Sequence, residues 1–245
     1  MKKLKALFIV AGHSDKSPWA YYDWLSERDL NIEIAENLTD RLLENDLDFK
    51  IIPVWIYTNL SLQEKINTIN DICKRNWYNL DNSLLLSIHI NAGGWTGVEW
   101  FSYNDYIEGK DYCKVLVDSV VKETGLRNRG AKFERLSRYD SLWIIHNTTP
   151  LACLIENGFI DGTEDRKVLK ENIVAFSDWL YNGLKEYIWF EEIIEEEEED
   201  NLDDIIDENT KLKIKLWLYI KAVLKLKKDI EDKDLIIDWI KDLLK

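Results

Sequence analysis

Three short apolar runs, at residues 4–11, 83–90 and 151–156, constrain the fold of this chain more than any other feature. Each is far shorter than the roughly 18 apolar residues of a membrane span, and polar or turn-forming residues bound each one, so each reads as a buried strand. Segments with helical periodicity fill the intervals. Residues 27–44 place Leu30, Ile34, Leu38 and Leu42 on one face, and residues 106–124 place Tyr112, Leu116 and Val120 at four-residue spacing. Ser61 is positioned to cap a helix that reaches about Trp77, and Thr163 to cap a helical stretch that reaches about Ile188. Residues 49–55 read as a strand interrupted by Pro53, hence an edge strand. Residues 97–103 alternate as a strand does, whereas residues 141–146 fit a short strand or a short helix equally. Strands alternating with helices over residues 1–190 imply an α/β domain with a mainly parallel sheet. Sites in such sheets lie at the carboxyl ends of the strands.

The rest of the chain has a different character. Residues 191–208 hold twelve Asp or Glu and no Lys or Arg, and read as a solvated acidic linker. The net charge of −14 becomes −2 without that tract, which argues against nucleic acid as a partner. Residues 209–245 carry ten Lys against six acidic residues. Leu212, Leu216, Tyr219, Val223 and Leu226 form one amphipathic stripe there, and Leu235, Trp239 and Leu243 a second. A helical pair this small cannot bury its apolar faces alone. It needs the main domain, a second copy in a homo-oligomer, or a surface to rest on.

Three widely spaced cysteines without a CxxC argue against a Cys-type metal site or a disulfide framework, and free thiols point to a reducing compartment. Lys2, Lys3 and Lys5 precede the first apolar run, but that run is short for a signal-peptide core and no cleavage site follows. Synthesis in the cytoplasm without a leader is the expectation, with no transmembrane segment.

The candidate chemistry lies at the strand ends. His13 follows the first strand and His89 lies near the end of the third, so both fall on one rim of one sheet. Glu27 opens the first long helix and returns to that same rim. Each residue taken singly has an ordinary explanation: a satisfied histidine, or an acidic residue favoured at a helix start. Together they form a His2Glu donor set with room for a fourth ligand, a known arrangement for catalytic zinc. Such an ion would lower the pKa of bound water to roughly 7 and polarise a carbonyl. Glu156 closes the strand at 151–156, where an ionisable group costs desolvation unless it has a partner or a task. A carboxylate there suits general base and then general acid catalysis, with a structural salt bridge as the plain alternative.

In order along the chain stand Ala11-Gly12-His13, Ser26-Glu27 entering a helix, Ser87-Ile88-His89-Ile90-Asn91-Ala92, Gly97-Val98-Glu99, Arg129-Gly130-Ala131-Lys132 and Ile155-Glu156-Asn157-Gly158-Phe159-Ile160. The ordered set, over residues 4–187, resembles the zinc-dependent N-acetylmuramoyl-L-alanine amidases of the Amidase_3 type. The resemblance implies a twisted, mostly parallel six-stranded sheet flanked by helices. It implies Zn2+ held by His13, Glu27 and His89, with Glu156 as the catalytic carboxylate and peptidoglycan as the substrate. Asn91 and Ala92 would line the cleft, and His146, Trp19 and Tyr22 are candidates for substrate contact. The chain departs from the family at Ser14-Asp15, where a second Gly is usual, and at Tyr57-Thr58-Asn59, where an Arg is common. Without a leader, such an enzyme resembles a phage or prophage endolysin that acts on the wall after release. Residues 209–245 would then target the wall or mediate oligomerisation.

Overall fold

A computed structural model describes residues 3–45, 47–103, 107–133 and 142–188. Strand β1 (Ala6–Ala11) is buried along its whole length. Leu7, Ile9 and Ala11 enter one apolar layer, and Ala6, Phe8 and Val10 enter the other. Burial on both faces is why its sequence is a continuous apolar run and not an alternation. Strands β5 (Ser83–Asn91) and β8 (Leu151–Phe159) are built the same way.

These three strands pair in parallel in the order β1-β5-β8, and strand β4 (Lys50–Pro53) pairs in parallel with the outer side of β1. Pro53, which has no N–H to give a neighbour, therefore occupies the expected edge. The chain then turns into a 3-10 helix at Val54–Ile56. On the far side, strand β6 (Val98–Ser102) runs antiparallel to β8, and strand β7 (Asn128–Phe133) runs parallel to β6. The result is one mostly parallel six-stranded sheet, β4-β1-β5-β8-β6-β7.

Helices α1 (Glu27–Leu43) and α3 (Ile107–Thr124) pack their apolar stripes onto one face of the sheet and α6 (Ala175–Ile188) packs against both, through residues such as Ile34, Leu38, Leu116, Val120, Leu180 and Leu184. Helices α2 (Leu62–Asn76) and α4 (Trp143–His146) cover the other face with Ile66, Ile69, Cys73, Ile144 and Ile145. Helix α2 starts in a full capping box, Ser61 with Glu64. The ambiguous segment at 141–146 is helical over its last four residues.

Several expectations are corrected. Thr163 is not a cap: Gly162 occupies the N-cap position of helix α5 (Thr163–Asn172), with no side-chain cap. A Cβ at residue 162 would meet the Trp95 carbonyl at 2.6 Å, which excludes larger capping residues. The helical stretch to Ile188 is two helices broken at Ile173 and Val174, and the Ser177 N–H and hydroxyl both donate to the Val174 carbonyl in the first turn of the second. Strand β7 went unrecognised because it is a polar edge strand without an apolar alternation. Gly130, at φ 83°, marks the bulge where its register against β6 slips. Two short strands, β2 (Tyr21–Tyr22) and β3 (Leu25–Ser26), pair as a hairpin just ahead of α1.

Of the cysteines expected as free thiols, Cys113 on α3 and Cys153 on β8 are joined as a disulfide across the helix–sheet interface, with Cα atoms 6.1 Å apart. Forty residues of sequence separation hid that contact, and the thiols no longer argue for a reducing compartment. Cys73 is free, and burial pushes its thiol up to about 11. No described helix is long and apolar enough to cross a membrane. The acidic tract at 191–208 and the helical pair at 209–245 lie outside the described residues.

Candidate active site

The parallel strands β1, β5 and β8 bring their carboxyl ends to one rim, and the candidate residues converge there. The turn after β1 is tightly packed. The Gly12 N–H donates to the Ile88 carbonyl at 2.8 Å. A Cβ on Gly12 would overlap the His89 ring, so glycine is required where the backbone passes under that imidazole. His13 follows in a left-handed conformation at φ 64°, unusual for a residue with a side chain.

Local ties hold this turn. Lys65, 3% exposed, reaches from α2 to donate to the carbonyls of Ala11 at 2.9 Å and His13 at 2.5 Å. Burial, followed by the charge of Arg28, brings the Lys65 ammonium down to about 8 against the opposing pull of Asp15. The Asp15 N–H donates to the Thr58 carbonyl at 2.9 Å, and the Asp15 carboxylate accepts from the Thr58 hydroxyl and from Arg28. Trp19, also left-handed, stacks on the His13 ring with centroids 5.8 Å apart and planes 5° from parallel.

Glu27 is the first residue of α1, directly after the Ser26 N-cap, and is 2% exposed. Its Oε1 lies 2.8 Å from His13 Nε2 and 3.5 Å from His89 Nδ1, and accepts from the Ile90 N–H at 3.4 Å. Burial pushes this carboxyl up, but the hydrogen bonds and charges of His13 and His89 outweigh it and bring it down to about 2. For His89, burial pushes the imidazole down against the opposing effect of the hydrogen bond it donates to Glu27. The Asn157 amide donates to the His89 carbonyl at 3.3 Å.

One donor atom from each of His13, Glu27 and His89 lies within 4.8 Å of the others. Glu27 Oε2 is buried without a hydrogen-bond partner. Two imidazoles, a carboxylate held ionised and an orphaned carboxylate oxygen fit a divalent metal of zinc type.

Glu156 stands on β8 directly beside His89 of β5 and beside Glu99 of β6. It lines the same cleft of about 240 Å³ as His13, Glu27 and His89. Glu99 is committed elsewhere: it accepts from Arg129 at 2.6 Å, Lys132 at 2.7 Å and the Asn91 amide at 3.1 Å. Burial pushes Glu99 up, but Lys132 and Arg129 outweigh it and keep the carboxyl below its ordinary range. Asn91, Ala92 and Trp19 also line the cleft. The loop beyond Ala92 is fixed by Asp161, which accepts from the Gly93 and Gly94 N–H groups, and by Asp165, which accepts from Gly97 and Phe159.

His146 and Tyr22 do not line the cleft. His146 sits edge-on to the Tyr103 ring at 5.0 Å, and Tyr22 lies under the Arg166 guanidinium at 4.8 Å. Sequence reasoning missed Lys65 and the apolar wall of Leu142, Trp143, Ile144 and Leu154. Lys65 carried a signal: it falls on the Lys65-Ile69-Cys73 stripe that faces the core. Trp143, 55% exposed, carried none, because its segment had no readable period.

The family model described as N-acetylmuramoyl-L-alanine amidase, Amidase_3, matches residues 7–186. The N-acetylmuramoyl-L-alanine amidase CwlM of Bacillus licheniformis is 28% identical over 171 residues, 68% of this chain and 61% of that protein. The sporulation-specific N-acetylmuramoyl-L-alanine amidase of Bacillus subtilis is 28% identical over 74% of this chain and 67% of its own length. The chain thus spans about two thirds of the length of these relatives. Among solved structures, the catalytic domain of the amidase CwlV from Bacillus (Paenibacillus) polymyxa superposes with a TM-score of 0.62 at 21% identity, covering 76% of this chain and 98% of that domain. That likeness places the six-stranded sheet in the fold of the amidase structures. The chain belongs to the Amidase_3 family of N-acetylmuramoyl-L-alanine amidases.

Proposed function

We propose that this chain is a zinc-dependent N-acetylmuramoyl-L-alanine amidase, which hydrolyses the bond between muramic acid and L-alanine in peptidoglycan and so lyses the wall. The observation that carries the reading is one cleft holding His13, Glu27 and His89 as a donor cluster, with a separate carboxylate, Glu156, on the adjoining strand. A zinc ion held by the three donors would supply Lewis acidity toward the scissile carbonyl and the attacking water.

The remaining roles fall to the chain itself. Glu156 takes the proton of the attacking water and delivers it to the departing amide nitrogen, which must be protonated to leave. Its place beside His89 on a rigid strand keeps it within reach of the same carbonyl. Glu99 is engaged by Arg129 and Lys132, so it serves as a fixed anion that orients Asn91. The apolar wall and Trp19 give a muramyl-peptide an apolar surface in the same cleft as the polar floor.

The test is incubation with purified cell walls, with and without a chelator. New L-alanine N-termini that appear only without chelator are the expected result. Released reducing ends, D-alanine or acetate would identify a glycosidase, carboxypeptidase or deacetylase instead. Lysis is read separately, from the turbidity of chloroform-treated cells exposed to the protein.

A further inference from the structure

We infer that Lys65 is a positioning residue for the metal cluster: it holds His13 in the backbone conformation that aims the imidazole at Glu27 and His89. This rests on reading those three residues as a metal site. The ammonium bridges two carbonyls, Ala11 at 2.9 Å and His13 at 2.5 Å, on either side of Gly12. It therefore clamps the one peptide turn that carries the ligand out of β1. That turn needs a clamp, because His13 at φ 64° occupies a region that side-chain-bearing residues adopt only when their surroundings impose it.

Two further observations separate this role from ordinary packing. Lys65 is 3% exposed and sits on the inner stripe of α2, where Ile69 and Cys73 are apolar. An apolar residue would fit that stripe without the desolvation cost of an ammonium. Lys65 also forms no ion pair with a carboxylate among the described residues, so the carbonyls of the ligand turn are its main polar partners. Its neighbours leave the task open: Gly12 is tied to β5 through its N–H and Asp15 to Thr58 through its own, and neither holds the His13 carbonyl. Lys65 itself is no ligand, and it acts on the cluster through the backbone of His13.

The test uses the full chain and zinc alone, with affinity read by competition against a chromophoric chelator and stability read as the Tm of the metal-free protein. Lys65→Met is expected to weaken zinc binding by about 10–100-fold, the range for residues that orient metal ligands. Its metal-free Tm should stay near that of the parent. Lys65→Arg, which restores a cation to the same carbonyls, should recover most of the affinity. Ile66→Ala, the adjacent core position, should lower Tm while leaving zinc affinity unchanged. Equal zinc affinity in the parent and Lys65→Met overturns the role, as does an equal loss in Ile66→Ala. Should Lys65→Met not fold, Lys65→Gln is read the same way. A parent chain that binds no zinc refutes the cluster itself and not merely the part played by Lys65.

Discussion

The floor and the wall of the cleft are built on opposite plans. The floor consists of His13, Glu27, His89 and Glu156, carried by the turn after β1, the start of α1 and the strands β5 and β8, with hydrogen bonds holding the first three in place. The wall consists of Leu142, Trp143, Ile144 and Leu154, with Trp19 lining the cleft as well; Ile144 and Leu154 are buried, whereas both indoles are more than half exposed. The difference teaches a division of labour. Donor atoms that must meet at one point are held by elements that cannot shift independently. The surface offered to a large substrate is set instead by the exposed rings of Trp19 and Trp143.

The comparison breaks first at Glu156. Glu156→Gln should reduce turnover by about 10²–10⁴-fold, the usual contribution of a positioned acid–base group, while zinc stoichiometry stays at that of the parent. His89→Ala, by contrast, should lose the metal. Atomic absorption beside a wall-hydrolysis assay separates the two, and loss of zinc from Glu156→Gln would move that residue into the ligand set.

A second effect lies within the floor itself. The folded carboxyl of Glu27 sits at about 2, below its ordinary 4.5, so the unfolded chain takes up this proton first as pH falls. The stabilisation is therefore fully present above pH 4.5 and is lost as pH falls from 4.5 toward 2. Urea unfolding of the metal-free protein and of Glu27→Gln across that window should show the two curves converging by up to about 3 kcal/mol. A constant separation would mean that Glu27 does not carry the charge assigned to it.

The smallest effect belongs to the wall. Trp143→Ala should raise KM on muramyl-peptides about 5–10-fold with kcat nearly unchanged, because an exposed ring contributes to ground and transition states alike. A fall in kcat with KM unchanged would place Trp143 with the floor.

What could be read from sequence follows the same division. β1, β5 and β8 were legible because burial on both faces leaves an unbroken apolar run, and their shared carboxyl rim brought His13 and His89 into one argument. Glu27 was legible by its place at a helix start, although the family resemblance was needed to make it a ligand. Lys65 was missed because a lysine on a helix is ordinarily a surface residue, and only its four-residue spacing from Ile69 marked it as inward. Trp143 and the Cys113–Cys153 contact depend on which segments meet across the sheet, and no local pattern encodes that. β7 stayed hidden because an edge strand with one solvated side needs no apolar signature.

The parallel pairing of β1, β5 and β8 has a kinetic consequence. Parallel neighbours must be joined by long crossovers, so the floor is assembled from residues 13, 27, 89 and 156, which are far apart along the chain. Topologies of this kind fold slowly, because distant segments must meet before any contact rewards them. A growing chain that has not yet produced β8 already contains His13, Glu27 and His89 but lacks Glu156 and also Asn157, whose amide holds the His89 carbonyl. The four residues of the floor therefore come together only once the last central strand is in place.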